Sequence, residues 1–403
     1  MIEETFIHSE PRDRLARGRL HKVMSALNKP AYWPAWQAVL LALFLCLAGG
    51  VIWYFPQQSW QTAVTAAAVL GLFFLGDIVI ISLLPLRRIS FCSWKAQFLA
   101  LALPRTAAAA AVGFLAIWLP MNLAWVLLIA VQLAAAGLLF YGAHVEPARL
   151  RLTKLDIYSE HLPLGAEPIR LLHISDLHIE RLSRREDDVL AYLDQTQPDL
   201  ILITGDYLNL SFNRDPEAYR QAGEFLSQLA SPQGVYAVLG TPTVDLCEAI
   251  APLFVDLPLT LLRDEWYEVC WPDGRRLTLL GLDCTHDIDL DARRLQTLVK
   301  SAPPSAPKLL LYHSPELMPG AAELDIDLFL CGHTHGGQVR LPVIGPLLTS
   351  SHLGRKYVMG HYRSGKTDLY VSTGVGLEGL SAPRVRFLAP PEITLVTIRP
   401  SAL

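Results

Sequence analysis

The first third of the chain is too apolar to fold as part of a water-soluble domain. Residues 36–55 and 61–84 are each mostly apolar. A helix of about 20 such residues, rising 1.5 Å per residue, spans the roughly 30 Å hydrocarbon core of a bilayer. Over the whole chain 52% of the residues are hydrophobic and only 18% are charged, and the apolar excess ends near residue 145. Residues 36–145 are therefore predicted to form a transmembrane domain.

The number of membrane spans depends on how residues 96–143 are divided. Pro104 and Arg105 interrupt the start of this stretch, and Pro120 favours a turn at its middle. We interpret the stretch as two helices, roughly residues 96–119 and 121–143, which gives about four spans in total. The alternative is a single kinked span over residues 107–143, which would give three spans and place the remaining chain on the opposite side.

Lysine and arginine residues lie on alternate connections of the four predicted helices, whereas the short connections 56–60 and 120–122 contain none. Positively charged connections stay in the cytoplasm. We therefore expect a multi-pass protein of the cell inner membrane, with a basic cytoplasmic leader (residues 1–35) and a cytoplasmic C-terminal domain. The charges form three groups: Arg12, Arg14, Arg17, Arg19 and Lys22; Arg87, Arg88 and Lys95; and Arg149, Arg151 and Lys154.

Two charged residues, Asp77 and Arg105, fall deep within the predicted spans. An unpaired charge at this depth costs several kcal/mol. The two residues lie at similar distances from the cytoplasmic ends of the second and third helices, so we predict an intramembrane ion pair between them. A proton or ion pathway is the functional alternative, although four short-looped helices without repeat symmetry argue against a transporter.

Residues 146–403 have the mixed composition of an α/β domain, in which short apolar runs alternate with amphipathic segments. Polar residues follow the predicted strands directly. The strands are predicted at residues 169–174, 200–204, 235–239, 308–312 and 327–331. Because strand ends can converge at one edge of a sheet, we expect six of these polar residues to cluster there: Asp176, His178, Asp206, His313, His333 and His335.

Carboxylates and imidazoles together suit divalent ions such as Mn²⁺, Fe²⁺ or Zn²⁺. The six cysteines are scattered and form no Cys-x-x-Cys pair, which argues against a structural zinc site. Taken singly, either aspartate could cap a helix, and His313 could be an ordinary core histidine. The six together predict a catalytic metal site.

In these motifs the chain resembles the calcineurin-like metallophosphoesterases, in particular their membrane-anchored bacterial branch. The resemblance covers roughly residues 168–399, and the segment Gly-His-Thr-His-Gly-Gly-Gln at 332–338 is its most specific part. It implies a four-layer α/β/β/α sandwich and two divalent metal ions. One ion is expected on Asp176, His178 and His335, and the second on His313 and His333, with Asp206 bridging both ions.

The resemblance also implies a mechanism. A hydroxide that bridges the two ions would attack phosphorus, with Asp206 and His333 as the residues of the catalytic centre. The substrate would contain a phosphodiester, phosphomonoester or pyrophosphate bond. Because the domain is tethered to a lipid bilayer, we expect a phosphorylated substrate that is lipid-linked or related to the cell envelope. A net charge of −4 argues against nucleic acid as a partner.

One part of the family pattern is absent. The family carries Gly-Asn-His followed by an acidic residue, where the Asn completes the second metal site and the His assists the leaving group. Here residues 240–245 read Gly-Thr-Pro-Thr-Val-Asp. Asp245, Thr241 or a water molecule is the candidate substitute ligand, and a leaving group of low pKa would not need the missing histidine. Alternatively, the second ion binds weakly, or the domain is a membrane sensor or scaffold that binds a metal or nucleotide without turnover.

Several basic residues of the C-terminal half, Arg340, Arg355, Lys356 and the segment 384–386, could contact a substrate phosphate. Exposure to solvent is the simpler expectation for most of them, because surface lysines and arginines are common.

Overall fold

A computed structural model describes residues 26, 29–379 and 383–401 of the chain, apart from the side chain of residue 249. These residues fall into two compact units. The helical unit contains the described residues up to Glu146, together with residues 379 and 383–385. The other unit contains residues 147–378 and the described residues from Arg386 onward. Most of the predicted leader, residues 1–35, lies outside the described residues.

Four helices of the first unit are long and apolar enough to cross a membrane. They agree in number with the prediction, and Pro120 separates the last two, as expected. The helices are α1 (Ala35–Val51), α2 (Trp60–Leu86), α3 (Trp94–Leu115) and α4 (Met121–Phe140). Short turns of 3₁₀ or π-helix precede or extend them at Lys29–Tyr32, Ile52–Tyr54 and Tyr141–Val145.

The two charges within these helices lie against each other. The guanidinium of Arg105 donates to both carboxylate oxygens of Asp77, from Nε at 2.5 Å and from Nη2 at 2.7 Å. Its Nη1 donates to the backbone and side-chain oxygens of Gln132 at 2.9 and 2.8 Å. All three side chains are buried. The polar groups of α2, α3 and α4 therefore satisfy one another inside an apolar bundle.

A short segment from far along the chain completes the helical unit. Val385 packs against the apolar core of the helices, and the backbone N–H of Arg384 donates to Oε1 of Gln97 at 3.0 Å. The side chain of Arg384 is fully buried, so the expectation of a solvent-exposed arginine is wrong at this position. In the predicted domain boundaries, residues 383–385 belong to the domain 146–403, whereas in the structure they group with the helices.

Two six-stranded sheets form the second unit. Its strands are β1 (Arg151–Ser159), β2 (Ile169–Ile174), β3 (Leu200–Thr204), β4 (Val235–Val238), β5 (Thr260–Leu261), β6 (Glu265–Cys270), β7 (Arg276–Gly281), β8 (Lys308–Leu311), β9 (Leu328–Cys331), β10 (Arg340–Leu341), β11 (Gly345–Pro346), β12 (Gly360–Ser364), β13 (Thr367–Val371) and β14 (Glu392–Pro400). The sheets have strand orders β1-β14-β2-β3-β4-β5 and β12-β13-β9-β8-β7-β6, and β10 and β11 form a separate hairpin. Strands β2 to β5 are mutually parallel, as are β7, β8, β9 and β13.

Helices cover the outer faces of both sheets. They are α5 (Arg184–Thr196), α6 (Pro216–Leu226), α7 (Cys247–Ile250), α8 (Ile288–Ser301) and α9 (Met318–Ala321), with 3₁₀ turns at Ala251–Phe254, Pro315–Leu317 and His335–Gly337. A capping box starts α5: the side chain of Ser183 accepts from the backbone of Arg185, and Glu186 accepts from the backbone of Ser183.

The alternation of side chains along the strands builds the layers. Successive residues of a strand point to opposite faces of the sheet. Leu200 and Leu202 join Leu309 in the core between the two sheets, whereas Ile201 packs with α5 and α6 and Leu310 packs with α8. The result is the predicted α/β/β/α sandwich. Its parallel strands β2, β3, β8 and β9 are followed directly by the predicted metal ligands.

The contact between Asp77 and Arg105 is testable by a double-mutant cycle. Asp77→Ala should lower the free energy of unfolding by roughly 3 to 5 kcal/mol, because it leaves a buried guanidinium without its carboxylate. Arg105→Ala should cost a similar amount, and the double variant should cost clearly less than the two single changes together. Thermal unfolding in one detergent measures all four proteins. Additive losses would show that the two charges do not stabilise each other.

Candidate metal centre

The structure brings together all six residues that were predicted to bind metal. Asp176, His178 and His335 form one group, and their potential ligand atoms lie within 4.8 Å of one another. A second group meets the same criterion and consists of Asp206, His313 and His333. All six side chains are buried, so their polar atoms need partners within the protein or an ion.

The backbone is strained at most of these positions. Asp176, His178, Asp206, His333 and His335 have φ angles of +51°, +44°, +58°, +71° and +50°, in the left-handed region that residues other than glycine rarely adopt. Such strain persists only where the surrounding structure holds it, and it concentrates at functional sites. The sharp turns after β2, β3 and β9 therefore direct these five side chains into a shared site.

Two glycines leave room for the carboxylates. A Cβ atom on Gly240 would lie 2.2 Å from Oδ1 of Asp206, and one on Gly332 would lie 1.9 Å from Oδ2 of Asp176. Real Cβ atoms do not approach oxygen this closely, so a side chain at either position would displace the neighbouring carboxylate. The two glycines thus let each carboxylate lie against the backbone of a neighbouring loop.

Hydrogen bonds orient two histidines of the second group. Nδ1 of His313 lies 2.7 Å from the carbonyl oxygen of Thr204, and Nε2 of His333 lies 3.1 Å from that of Ser350. A carbonyl oxygen can only accept, so each of these nitrogens carries the proton. The other ring nitrogens, Nε2 of His313 and Nδ1 of His333, lie 3.2 Å apart. In the neutral rings, both carry a lone pair that could bind a metal ion, as is usual for metal-binding histidines.

In the first group, His178 has a carboxylate partner. Its Nδ1 lies 2.7 Å from Oε2 of Glu378, and its Nε2 lies 3.5 Å from Oδ2 of Asp206. The pKa of His178 is lowered by burial, but the negative charges of Glu378, Asp206 and Asp176 outweigh burial and raise it to about 9. The carboxylates around His178 therefore favour a positive charge at this position.

His335 has the opposite kind of neighbour. Nη2 of Arg386 lies 3.2 Å from Nδ1 of His335 and also donates to the carbonyl oxygens of Gly374 and Gly376. Burial, the charge of His178 and the guanidinium of Arg386 lower the pKa of His335 well below its usual value. The other ring nitrogen of His335, Nε2, lies 2.9 Å from Nε2 of His178, so the two rings face each other within the first group.

The carboxylates and imidazoles of the site shift the pKa values of one another. Burial opposes ionisation of Asp206, but His313 and His178 lower its pKa well below the usual value. Burial would also lower the pKa of His313, yet Asp206 and Asp176 raise it to about 10. Because metal ions bind the deprotonated imidazole, their binding at this site would compete with protonation of the rings.

Thr241 lies where a further ligand of the second group would lie. Its Oγ1 is 3.2 Å from Nε2 of His313 and 3.4 Å from Nδ1 of His333, the two ring nitrogens that face each other in the second group. Its backbone N–H donates to Oδ1 of Asp206 at 2.7 Å. Thr241 therefore lies where a substitute ligand would lie, as the sequence of residues 240–245 suggested.

Asp245, the other candidate substitute, is engaged by the backbone. Its Oδ2 accepts from the N–H groups of Asp206 and Gly240 at 2.8 and 2.7 Å, and its Oδ1 accepts from Tyr207 at 2.9 Å. Burial and the charge of Asp206 raise its pKa to about 7. Asp245 thus holds the turn that carries Asp206, and the geometry favours Thr241 over Asp245 as the added ligand.

A buried histidine that the sequence analysis missed lies beside the second group. The rings of His286 and His333 have centroids 4.8 Å apart, and Nδ1 of His286 lies 3.7 Å from Oε2 of Glu316. His286 also has a positive φ of +57°. It follows the end of β7 by five residues, and this position after a strand could have identified it. Glu378 was missed as well. Arg386 was considered only as a possible phosphate contact or an exposed residue, and it is instead buried against His335.

The donor atoms fit divalent metal ions. Each group offers one carboxylate and two imidazoles, and neither contains a cysteine. This mixture of nitrogen and oxygen ligands is typical of catalytic sites for Zn²⁺, Mn²⁺ or Fe²⁺. The strained backbone, the glycines that make room for the carboxylates and the orienting hydrogen bonds all support two adjacent ions.

Comparisons with known proteins agree with this site. The family model of calcineurin-like phosphoesterases matches residues 169–337. The metallophosphoesterase YkuE of Bacillus subtilis is 30% identical over 272 residues, covering 66% of this chain and 92% of that protein. The phosphodiesterase YaeI of Escherichia coli is 29% identical over 246 residues, covering 58% and 83%. A transmembrane protein with a metallophosphoesterase domain from Danio rerio is 27% identical over 283 residues, covering 66% and 61%.

Replacing Glu378 tests whether its carboxylate supports the first ion. Glu378→Gln keeps the size of the side chain but removes the charge that orients His178 and makes it more basic, so affinity for one of two ions should fall about 10- to 100-fold. Calorimetric titration with Mn²⁺ measures this loss. Glu323→Gln, at an exposed position of the same unit, is the matched control. Equal affinities in both variants would show that Glu378 does not act on the site.

Proposed function

The chain belongs to the calcineurin-like phosphoesterase family, and from that premise we propose that it is a membrane-anchored, metal-dependent phosphoesterase. The bond it hydrolyses is a phosphodiester, phosphomonoester or pyrophosphate bond. Two ions of Mn²⁺, Fe²⁺ or Zn²⁺ are its cofactors.

The position of Asp206 carries this proposal. Its Oδ2 lies 3.5 Å from Nε2 of His178 and 3.3 Å from Nε2 of His313, so one carboxylate contacts a histidine of each group. Asp206 is thus suited to hold both ions. When bound, a pair of divalent ions lowers the pKa of water and neutralises charge that develops on a phosphoryl group.

The protein residues orient the ions and restrict water. Thr241 would complete the coordination of the second ion. Its backbone N–H donates to the carboxylate of Asp206 and fixes its orientation. Pro242, at the position of the family's histidine, has no side-chain proton to give to a leaving group. We therefore propose that the preferred substrates have leaving groups of low pKa, as in a pyrophosphate linkage or a nitrophenyl ester.

The membrane location suggests the class of substrate. Four helices are apolar and long enough to cross a bilayer, and the relative from Danio rerio is called a transmembrane protein. We propose a lipid-linked or envelope-related phosphate as the substrate, at the cytoplasmic face of the inner membrane. Two of the three basic groups lie in the described residues and support that orientation: Arg87, Arg88 and Lys95, and Arg149, Arg151 and Lys154.

A sensor without turnover is the second candidate. The replacement of Asn and His by Thr241 and Pro242 favours it, because a hydroxyl is a weaker ligand than an amide oxygen and proline cannot act as an acid. In this case the domain would bind a metal or nucleotide and signal through the four helices.

Hydrolysis of bis-p-nitrophenyl phosphate with Mn²⁺ tests the proposed activity. Asp206→Asn should abolish turnover, because the residue that contacts both groups loses its charge. The exposed Asp256→Asn in the same unit should retain full turnover. Circular dichroism confirms that both variants are folded. Turnover by Asp206→Asn at the level of the control would refute the proposed site, and no turnover by the unmodified chain with two ions bound would favour the sensor.

Restoring the family residues separates the two candidates further. In the double variant Thr241→Asn and Pro242→His, a general acid becomes available, and such groups contribute of the order of 10²-fold or more to rate. The gain should be large for phenyl phosphodiesters, whose leaving group has a high pKa, and small for p-nitrophenyl esters. Steady-state rates for both esters measure the difference. Equal gains for both would show that the missing acid does not select the leaving group.

A further inference from the structure

An exposed apolar hairpin follows directly after the last metal-binding histidine. Strands β10 and β11 form this element, which we call the apolar hairpin and define as residues 339–348. Its large aliphatic side chains point to solvent, and Val343 at its tip is fully exposed with a positive φ of +67°. The exposed members are Leu341, Val343, Ile344, Leu347 and Leu348.

The exposed apolar surface extends beyond the hairpin. Val339 forms a parallel bridge with Phe387, and the backbone N–H of Arg340 donates to the carbonyl oxygen of Phe387 at 2.9 Å. The next residue, Leu388, is also exposed. A soluble surface rarely keeps such a contiguous aliphatic patch without a partner.

The charged residues of the chain segment that contains the hairpin are of one sign. Residues 328–367 contain no Asp or Glu, although the whole chain has a net charge of −4. Arg355 and Lys356 are exposed, and Nη1 of Arg355 donates to the carbonyl oxygen of Ile344 near the tip at 2.9 Å. The basic residues of this stretch are Arg340, Arg355, Lys356, Arg363 and Lys366.

We propose that the apolar hairpin inserts into the headgroup region of a lipid bilayer that contains anionic lipids. Aliphatic side chains with flanking cations are the combination that binds such an interface. A bilayer is also close to this unit along the chain. Only residues 146–150 separate the end of the last apolar helix from β1, a link of at most about 18 Å.

The hairpin is joined to the metal centre at both ends. Nη1 of Arg340 donates to the carbonyl oxygen of Gly336 at 2.8 Å, directly after His335. Beyond the other end, the carbonyl oxygen of Ser350 accepts from Nε2 of His333. Insertion of the hairpin would therefore bring the metal centre to the lipid headgroups. This consequence rests on the proposed function, whereas the insertion itself does not.

Fluorescence of a label at the hairpin tip tests the insertion. The full chain, with the exposed Cys270 replaced by Ser, carries Val343→Cys labelled with a polarity-sensitive dye and is reconstituted in nanodiscs of phosphatidylglycerol and phosphatidylcholine. We expect a blue-shifted emission that is quenched by lipids with a spin label near the headgroup. Leu164→Cys, at an exposed apolar position of the same unit, is the matched control and should show neither change.

Two results would overturn the proposal. In the first, the label at 343 emits as in water and is not quenched by lipid. In the second, it is shielded only in discs with two copies of the chain and is still not quenched by lipid, so that the hairpin binds a second copy.

A separate measurement compares Val343→Asp with Leu164→Asp on a diacylglycerol-linked and on a soluble phosphodiester. If Val343→Asp loses turnover on the lipid-linked ester alone, the result supports the proposal that insertion brings the metal centre to a lipid-linked substrate. Equal rates of the two variants on that ester overturn this part of the proposal and leave the fluorescence result unaffected.

Discussion

The burial of two carboxylates among four histidines is the constraint on which the metal centre depends. Asp176 and Asp206 are shielded from water, and a buried negative charge requires a nearby positive charge. The carboxylates accordingly raise the pKa values of His178 and His313 to about 9 and 10. Divalent ions held by these ligands would supply the positive charge. The strained turns after the strands and the surrounding hydrogen bonds hold the ligands in a geometry that only a positive charge makes favourable.

Much of this arrangement could be predicted from the sequence because the ligands follow strand ends. Within each sheet the ends of parallel strands meet at one edge. Because β2 and β3 belong to one sheet and β8 and β9 to the other, the packing of the two sheets is also needed to bring the six side chains together. The α/β/β/α layers follow from alternation within β3 and β8, and the four membrane helices follow from their length and hydropathy. The resemblance to calcineurin-like phosphoesterases was confirmed, and the six residues that it assigns to the ions lie in two adjoining groups.

The remaining features depend on contacts between distant parts of the chain. Glu378 contacts His178 and Arg386 contacts His335 across some 200 and 50 positions of sequence, so no local pattern points to either contact. The choice between Thr241 and Asp245 also required the structure, because only the hydrogen bonds to backbone N–H groups show that Asp245 supports the turn. Arg384 is buried against the membrane helices for the same reason: its environment is formed by residues that are remote in sequence.

The central claim is that the six residues hold two adjacent ions, with Asp206 shared between them. Electron paramagnetic resonance of the purified full chain with two equivalents of Mn²⁺ tests it most directly. Two ions that share a carboxylate are magnetically coupled, so the account predicts a coupled spectrum that is lost when Asp206 is replaced by Asn. A spectrum of isolated Mn²⁺ ions at two equivalents, unchanged by that replacement, would contradict it.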